Sequence, residues 1–159
     1  MRLRSESHRV TRRSSIPQAQ RRGLYAIDRD GSHLTKLLGP APGIGTGDPS
    51  WSPDGSTIAY IGSTDLRVCQ GTECHVEWRL HLMVLPLDGS EPRELRRAGA
   101  CWCIGFGPRL TWAPDGTSLA LVTLAGDGVS DGLFVMKADG TGLRHVTGDA
   151  GAPAWQPVR

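Results

Sequence analysis

The sequence predicts an all-β protein of short antiparallel strands joined by tight turns, and three observations lead to this prediction. The 159 residues include 21 Gly and 11 Pro, a composition that suits many turns. No window repeats its apolar residues at the 3.6-residue period of a helix. The stretch WSPDGSTIAY at 51–60 returns as WAPDGTSLAL at 112–121, so a turn followed by an apolar run occurs twice.

Three sequence patterns recur along the chain in a fixed order. Trp-x-Pro-Asp-Gly begins at Trp51 and Trp112, and a shortened Trp-Gln-Pro begins at Trp155. Apolar runs ending in Asp-Gly-Ser/Thr lie at 23–32, 80–90 and 132–141, and the third pattern follows them at 33–38, 91–96 and 142–147. Because the order never changes, we expect a repeated structural unit.

Each unit is predicted to contain up to four strands. Proline fixes φ, aspartate bonds to its own backbone and glycine accepts positive φ, so Pro-Asp-Gly reverses the chain sharply. The runs STIAYIG and TSLALVTL are typical of strands buried on both faces. A four-stranded unit with recurring Trp and turn motifs is typical of a propeller blade. We expect blades near 23–47, 48–106 and 107–150, and a closing strand at 151–157.

The coupled motifs over residues 23–157 resemble the TolB-like β-propeller repeat, a relative of the WD repeat. The resemblance implies a ring of six blades, of which this chain would form the C-terminal portion. The repeated Trp51, Trp112 and Trp155 are expected to fill the space between blades, and Asp54 and Asp115 to cap turns. TolB also carries an α/β domain that this sequence does not show, so its envelope role is not carried over.

The predicted strands amount to about three blades, whereas closed propellers take roughly 4–8. The chain is therefore a fragment of a longer protein, half of a two-chain ring of six blades, or an open arc. The open arc is the least favoured because unpaired strand edges promote aggregation. In the two-chain ring, the strand at 151–157 would complete the blade begun by 23–38 of the second copy.

The segment 1–22 differs in charge from the rest of the chain. It holds seven Arg and one acid, a net charge of +6, whereas the remaining residues hold 11 basic and 15 acidic groups, a net charge of −4. It is predicted to be disordered, and it lacks the hydrophobic stretch of a secretory signal. Arginine could contact nucleic acid, but a solvated tail is the preferred interpretation. No segment reaches membrane-spanning length.

The long connections are predicted to leave one face of the blades, because A→B and C→D turns are short and B→C and D→A connections are long. This loop face comprises 39–47, 63–77, 98–107 and 125–132. Since binding residues concentrate on loops of a rigid scaffold, it is the candidate site for a protein, peptide or glycan partner. The candidate contact residues are Trp102, Phe106, Asp65, Glu73, Asp127 and Asp131.

The same face holds all four cysteines: Cys69 and Cys74 in one connection, and Cys101 and Cys103 in the next. Disulfides are preferred, either between the two connections or between Cys69 and Cys74. Free thiols and a metal site with His75 as a further ligand remain alternatives, although the spacings fit zinc motifs poorly. Disulfides would place the chain in the periplasm or outside the cell; otherwise it is cytoplasmic.

No catalytic motif and no cofactor-binding motif occurs in the sequence. We therefore expect a non-enzymatic binding or scaffold module without a cofactor. The alternative is an accessory propeller fragment of a prolyl-oligopeptidase-type serine peptidase, since similar repeats form the propeller of those enzymes.

Overall fold

The computed structural model describes residues 2–4, 23–39, 44–70, 72–101, 109–123, 132–148, 151 and 153–156. Within these ranges it contains no helix and eleven strands, which form three antiparallel sheets. The predicted all-β class and the incomplete set of propeller-type blades are confirmed. Among the described residues, no helix has the length and apolarity needed to cross a membrane.

The first sheet has three strands in the order β1 (Arg2–Arg4), β2 (Leu24–Ile27) and β3 (Thr35–Leu38). β2 pairs antiparallel with both neighbours. The strand at Arg2–Arg4 differs from the disorder expected for 1–22, because backbone pairing with β2 does not require apolar side chains. The rest of that segment lies outside the described residues.

The second and third sheets are four-stranded meanders in which each strand pairs with the next along the chain. The second contains β4 (Ile44–Trp51), β5 (Thr57–Gln70), β6 (Glu73–Pro86) and β7 (Arg93–Cys101). The third contains β8 (Arg109–Trp112), β9 (Ser118–Thr123), β10 (Gly132–Lys137) and β11 (Arg144–Thr147). Both match the four-strand unit that the repeats predict.

The Pro-Asp-Gly motifs form tight turns between β4 and β5 and between β8 and β9. Gly55 and Gly116 adopt φ of 72° and 71°, in the left-handed region that favours glycine. The amide of Gly55 donates to the Ser52 carbonyl, and the amide of Gly116 donates to the Ala113 carbonyl, each at 2.9 Å. The repeated motif thus sets the same chain reversal in two sheets.

The apolar core consists of two layers, one on each side of the second sheet. On β5, Ala59 and Ile61 face the third sheet, whereas Ile58 and Tyr60 face the first. The layer toward the third sheet is completed by Leu82, Val84, Leu110, Leu119, Leu121, Phe134 and Met136. The layer toward the first sheet includes Leu24 and Leu85, with Leu37, Leu38, Trp51 and Met83 packed against it. The prediction that STIAYIG is buried on both faces is confirmed.

The connection predicted at 63–77 is a β-hairpin extension. β5 and β6 pair without interruption from Thr57 opposite Pro86 to Gln70 opposite Glu73. Both strands have 14 residues, whereas strands of β2, β3 and the third sheet have four to six. Residues 153–156 of the predicted closing strand at 151–157 pair with no described strand, and the closing role of this segment stays a prediction.

Candidate functional site

The extended β5–β6 hairpin and two of the long connections meet at one end of the second sheet. Ile44, at the start of β4, lies opposite Thr64, and Cys101, at the end of β7, lies opposite Trp78. The start of β4 and the end of β7 therefore border the part of the hairpin that extends past the core. This hairpin end is the described portion of the predicted loop face.

Two of the predicted contact residues lie on this hairpin. Asp65 is opposite Trp78 in the strand register, and Glu73 is exposed opposite Gln70 at the tip. The others, Trp102, Phe106, Asp127 and Asp131, lie outside the described residues. A binding role for these six residues stays a prediction.

The strand register separates the cysteines along the hairpin. Cys69 lies directly opposite Cys74, whereas Cys101 lies opposite Trp78, four positions further along β6. Strands advance ~3.3 Å per residue, so four positions span about 13 Å. Bridged Cα atoms are usually roughly 4.4–6.8 Å apart. The register thus favours a bridge between Cys69 and Cys74 over a bridge between Cys69 and Cys101. The pairing stays a prediction. Cys103 lies outside the described residues.

The alternative of a metal site gains no support from the side chains that the structure describes. Among them, no group of three or more His, Cys, Asp or Glu residues could hold a metal ion. The backbone of His75 lies opposite Val68, one position from the paired cysteines. Ligation by His75 and the cysteines stays a prediction.

A relay of polar side chains crosses three strands at the base of the hairpin. The Thr64 hydroxyl lies 3.0 Å from His81 Nε2, and His81 Nδ1 lies 2.9 Å from Glu94 Oε2. Arg97 Nε is 3.6 Å from the other Glu94 oxygen. Because the Glu94 carboxylate can only accept, Nδ1 carries a proton, and in the neutral imidazole Nε2 accepts from Thr64. The His81 side chain is 12% exposed, whereas the Glu94 and Arg97 side chains are 36% and 61% exposed, so the relay runs from a largely buried imidazole to the solvent.

Sequence analysis did not identify this relay, since the run WRLHLMVL around His81 predicts a blade strand with an ordinary histidine. Thr64 and Glu94 are 17 and 13 residues from His81. Only the register of β5, β6 and β7 brings the three together, so no local pattern indicates them.

A cavity of about 290 Å³ lies beside the relay, between the first and second sheets. Leu38 and Gly39 line it at the end of β3, and residues of β5 and β6 line it from the second sheet. The described residues that line it include no Asp, Glu, Lys or Arg: Leu38, Gly39, Thr46, Tyr60, Gly62, Ser63, Thr64, His81, Met83 and Pro92. Gly62 and Met83 both line the cavity, and a Cβ at Gly62 would lie only 3.2 Å from Met83 Cγ. The cavity is an apolar pocket with one polar edge.

The aspartates of the repeated motifs are turn caps, as expected, and do not belong to this site. Asp54 and Asp115 each accept from the backbone amide two residues later, at 3.1 and 2.9 Å. Hydrogen bonds from Ser52 and Ser56 lower the pKa of Asp54 to about 2. Both carboxylates therefore serve the turn geometry.

Asp48 is a second feature that sequence analysis missed. It lies at the irregularity of β4 between Gly47 and Ser50 and has a φ of 47°, unusual for a residue other than glycine. Burial raises its pKa, and the charge of Arg109 partly offsets that rise. It marks a local distortion of β4 beside the third sheet.

Three antiparallel sheets packed face to face define the chain as an all-β protein of propeller-type blades. A solved structure of TolB from Agrobacterium tumefaciens is similar to it, with a TM-score of 0.54 and 18% identity over 84% of this chain and 46% of its own length. TolB from Acinetobacter baumannii matches with a TM-score of 0.34 and 15% identity, over 86% of this chain and 40% of its own.

An oligogalacturonate lyase in complex with manganese also matches, with a TM-score of 0.45 and 22% identity, over 77% of this chain and 28% of its own. The chain thus spans less than half the length of these proteins, and the likeness concerns the fold alone. No protein-family model matches the chain, and no curated protein matches it.

Proposed function

We propose that the chain is a non-enzymatic β-propeller binding module that holds a protein or peptide partner at the hairpin end. The observation that carries the proposal is the mostly apolar cavity of about 290 Å³ at the base of the extended hairpin. Its walls include Leu38, Tyr60 and Met83, which suit an apolar side chain better than a hydroxyl-covered glycan. Buried apolar anchors of this kind dominate the binding energy of protein interfaces.

The hairpin supplies the second part of the proposed interface. From Asp65 to Gln70 and from Glu73 to Glu77, the two strands pair with each other and with no other described strand, and an extended peptide can form main-chain hydrogen bonds along such a strand. The proposed mechanism is therefore an anchor in the cavity together with strand pairing along the ribbon.

Two variants test this function against purified wild-type protein. The first replaces 66–77 by Asn-Gly, which joins the register partners Asp65 and Trp78 through a two-residue turn and leaves both core layers in place. The second, Gly62→Val, fills the cavity. Binding to a random peptide library displayed on phage, followed by titration of the selected peptides, is expected to be lost in both.

Selection of peptides that bind both variants as tightly as wild type would contradict the proposal. Binding only to a glycan array, with no selected peptide, would replace the peptide by a carbohydrate. Hydrolysis of a panel of peptide and ester substrates by wild type, abolished by Thr64→Val, would contradict the non-enzymatic assignment.

Location in the periplasm or outside the cell remains part of the proposal. It is supported by the register of Cys69 and Cys74, which suits a disulfide formed under oxidising conditions. A two-chain ring of six blades is likewise proposed.

A further inference from the structure

The repeated tryptophans form a series of hydrogen bonds between neighbouring sheets. Trp112 Nε1 donates to the Ser50 carbonyl at 3.1 Å, and Trp155 Nε1 donates to the Thr111 carbonyl at 3.3 Å. Ser50 precedes Trp51, and Thr111 precedes Trp112. Each indole thus bonds to the residue just before the tryptophan of the preceding repeat.

Trp51 is the member of this series whose indole forms no such bond with the described residues. Its Nε1 is buried and has no hydrogen-bond partner among the described residues. In the two existing bonds, the acceptor carbonyl lies on β4 or β8, the edge strand that begins its sheet. The matching acceptor for Trp51 is a carbonyl on a strand at the same edge of the first sheet, next to β1. The first sheet has no described strand in that position.

The segment 153–156, at the other end of the described chain, matches the strand position that is not filled by a described strand next to β1. Trp155 bonds to the third sheet, but 153–156 pairs with no described strand. Ala154, the residue before Trp155, is exposed and matches Ser50 and Thr111 in the repeat. Its carbonyl is therefore the equivalent of the two acceptors already in use.

We propose that two copies associate head to tail, with 153–156 of each lying beside β1 of the other. This inference rests on the proposed propeller module. The carbonyl of Ala154 in one copy accepts the Trp51 indole N–H of the second. The arrangement uses the same bond as the two within the chain, and it adds a fourth strand to each first sheet. Two such copies contain six sheets, within the range of closed propellers.

Light scattering during gel filtration, over a range of concentrations, tests the association with the full chain. We expect a dimer whose dissociation constant rises about a hundredfold in Trp51→Phe, because two symmetry-related bonds are lost at about tenfold each. The matched control is Trp112→Phe, which removes an indole N–H bonded within one chain and leaves the dissociation constant unchanged. A chain that stays monomeric at every concentration overturns the proposal.

The Trp51 indole resonance gives an independent readout in ¹H–¹⁵N spectra, assigned by its loss in Trp51→Phe. It is expected to shift and to gain protection from solvent exchange as the dimer forms. A dimer in which this resonance does not change, or in which Trp51→Phe has no effect, contradicts the assigned contact. The variant with 66–77 replaced by Asn-Gly is expected to lose peptide binding but still to dimerise. Failure of the peptide-binding proposal is therefore distinguishable from failure of the dimer proposal.

Discussion

Trp112 donates its indole N–H to the backbone carbonyl of Ser50 at 3.1 Å, which joins the first strand of the third sheet to that of the second. The backbone amide of Trp112 also donates to the Ser50 hydroxyl, at 3.3 Å. The ring packs against the apolar layer between these sheets. One side chain therefore provides both apolar packing and a directional bond between blades.

Trp112→Phe is expected to lower the free energy of unfolding by about 1–3 kcal/mol, since the part-buried Ser50 carbonyl loses its partner. Urea denaturation measures the change. Trp51→Phe is the control at concentrations where the chain is monomeric, because the Trp51 indole has no partner among the described residues. Equal losses in the two variants would contradict the role of the bond.

Leu119→Ala is expected to destabilise the fold by about 2–5 kcal/mol, because Leu119 is 0% exposed in the layer between the second and third sheets. Thermal unfolding followed by circular dichroism measures the effect. Val146→Ala is the matched control on β11, since Val146 is 44% exposed and its truncation should change stability by less than about 0.5 kcal/mol. Similar effects at both sites would argue against packed sheets.

Acidification is expected to remove the stability contributed by the Asp54 turn. Hydrogen bonds from Ser52 and Ser56 lower the pKa of Asp54 from 3.8 to about 2, so the folded state favours the charged carboxylate. This stability is present above the unfolded pKa of 3.8 and is lost as the pH falls toward 2. The stability difference between wild type and Asp54→Asn should therefore shrink from pH 5 to pH 2 in urea titrations. A carboxyl titration midpoint near 3.8 by NMR would contradict this expectation.

The strand register predicts a disulfide between Cys69 and Cys74 in protein prepared without reductant. Proteolysis between the two residues, followed by mass spectrometry with and without reduction, is expected to show their peptides linked. The linkage should disappear in Cys69→Ser and persist in Cys101→Ser. Recovery of Cys69 linked to Cys101 would require the ends of β5 and β7 to depart from the described register.

The sequence alone determined the core strands, the turns and the repeated unit. Pro-Asp-Gly acts through the conformations of its own residues, and the alternation of Ile58 and Ala59 along β5 marks a strand buried on both faces. These are local properties, so they can be recognised without coordinates. The hairpin extension was missed because a two-stranded ribbon beyond the core needs no apolar face, and polar residues then resemble a loop.

The tertiary structure alone decided which distant residues meet. Thr64, His81 and Glu94 form a relay because the register of three strands places them side by side. The cavity is lined by residues of both the first and the second sheet. The Trp51 indole, which has no partner among the described residues, is recognisable as exceptional only beside the bonded indole of Trp112. Register and sheet packing follow from cooperative burial over the whole chain, which no short pattern specifies.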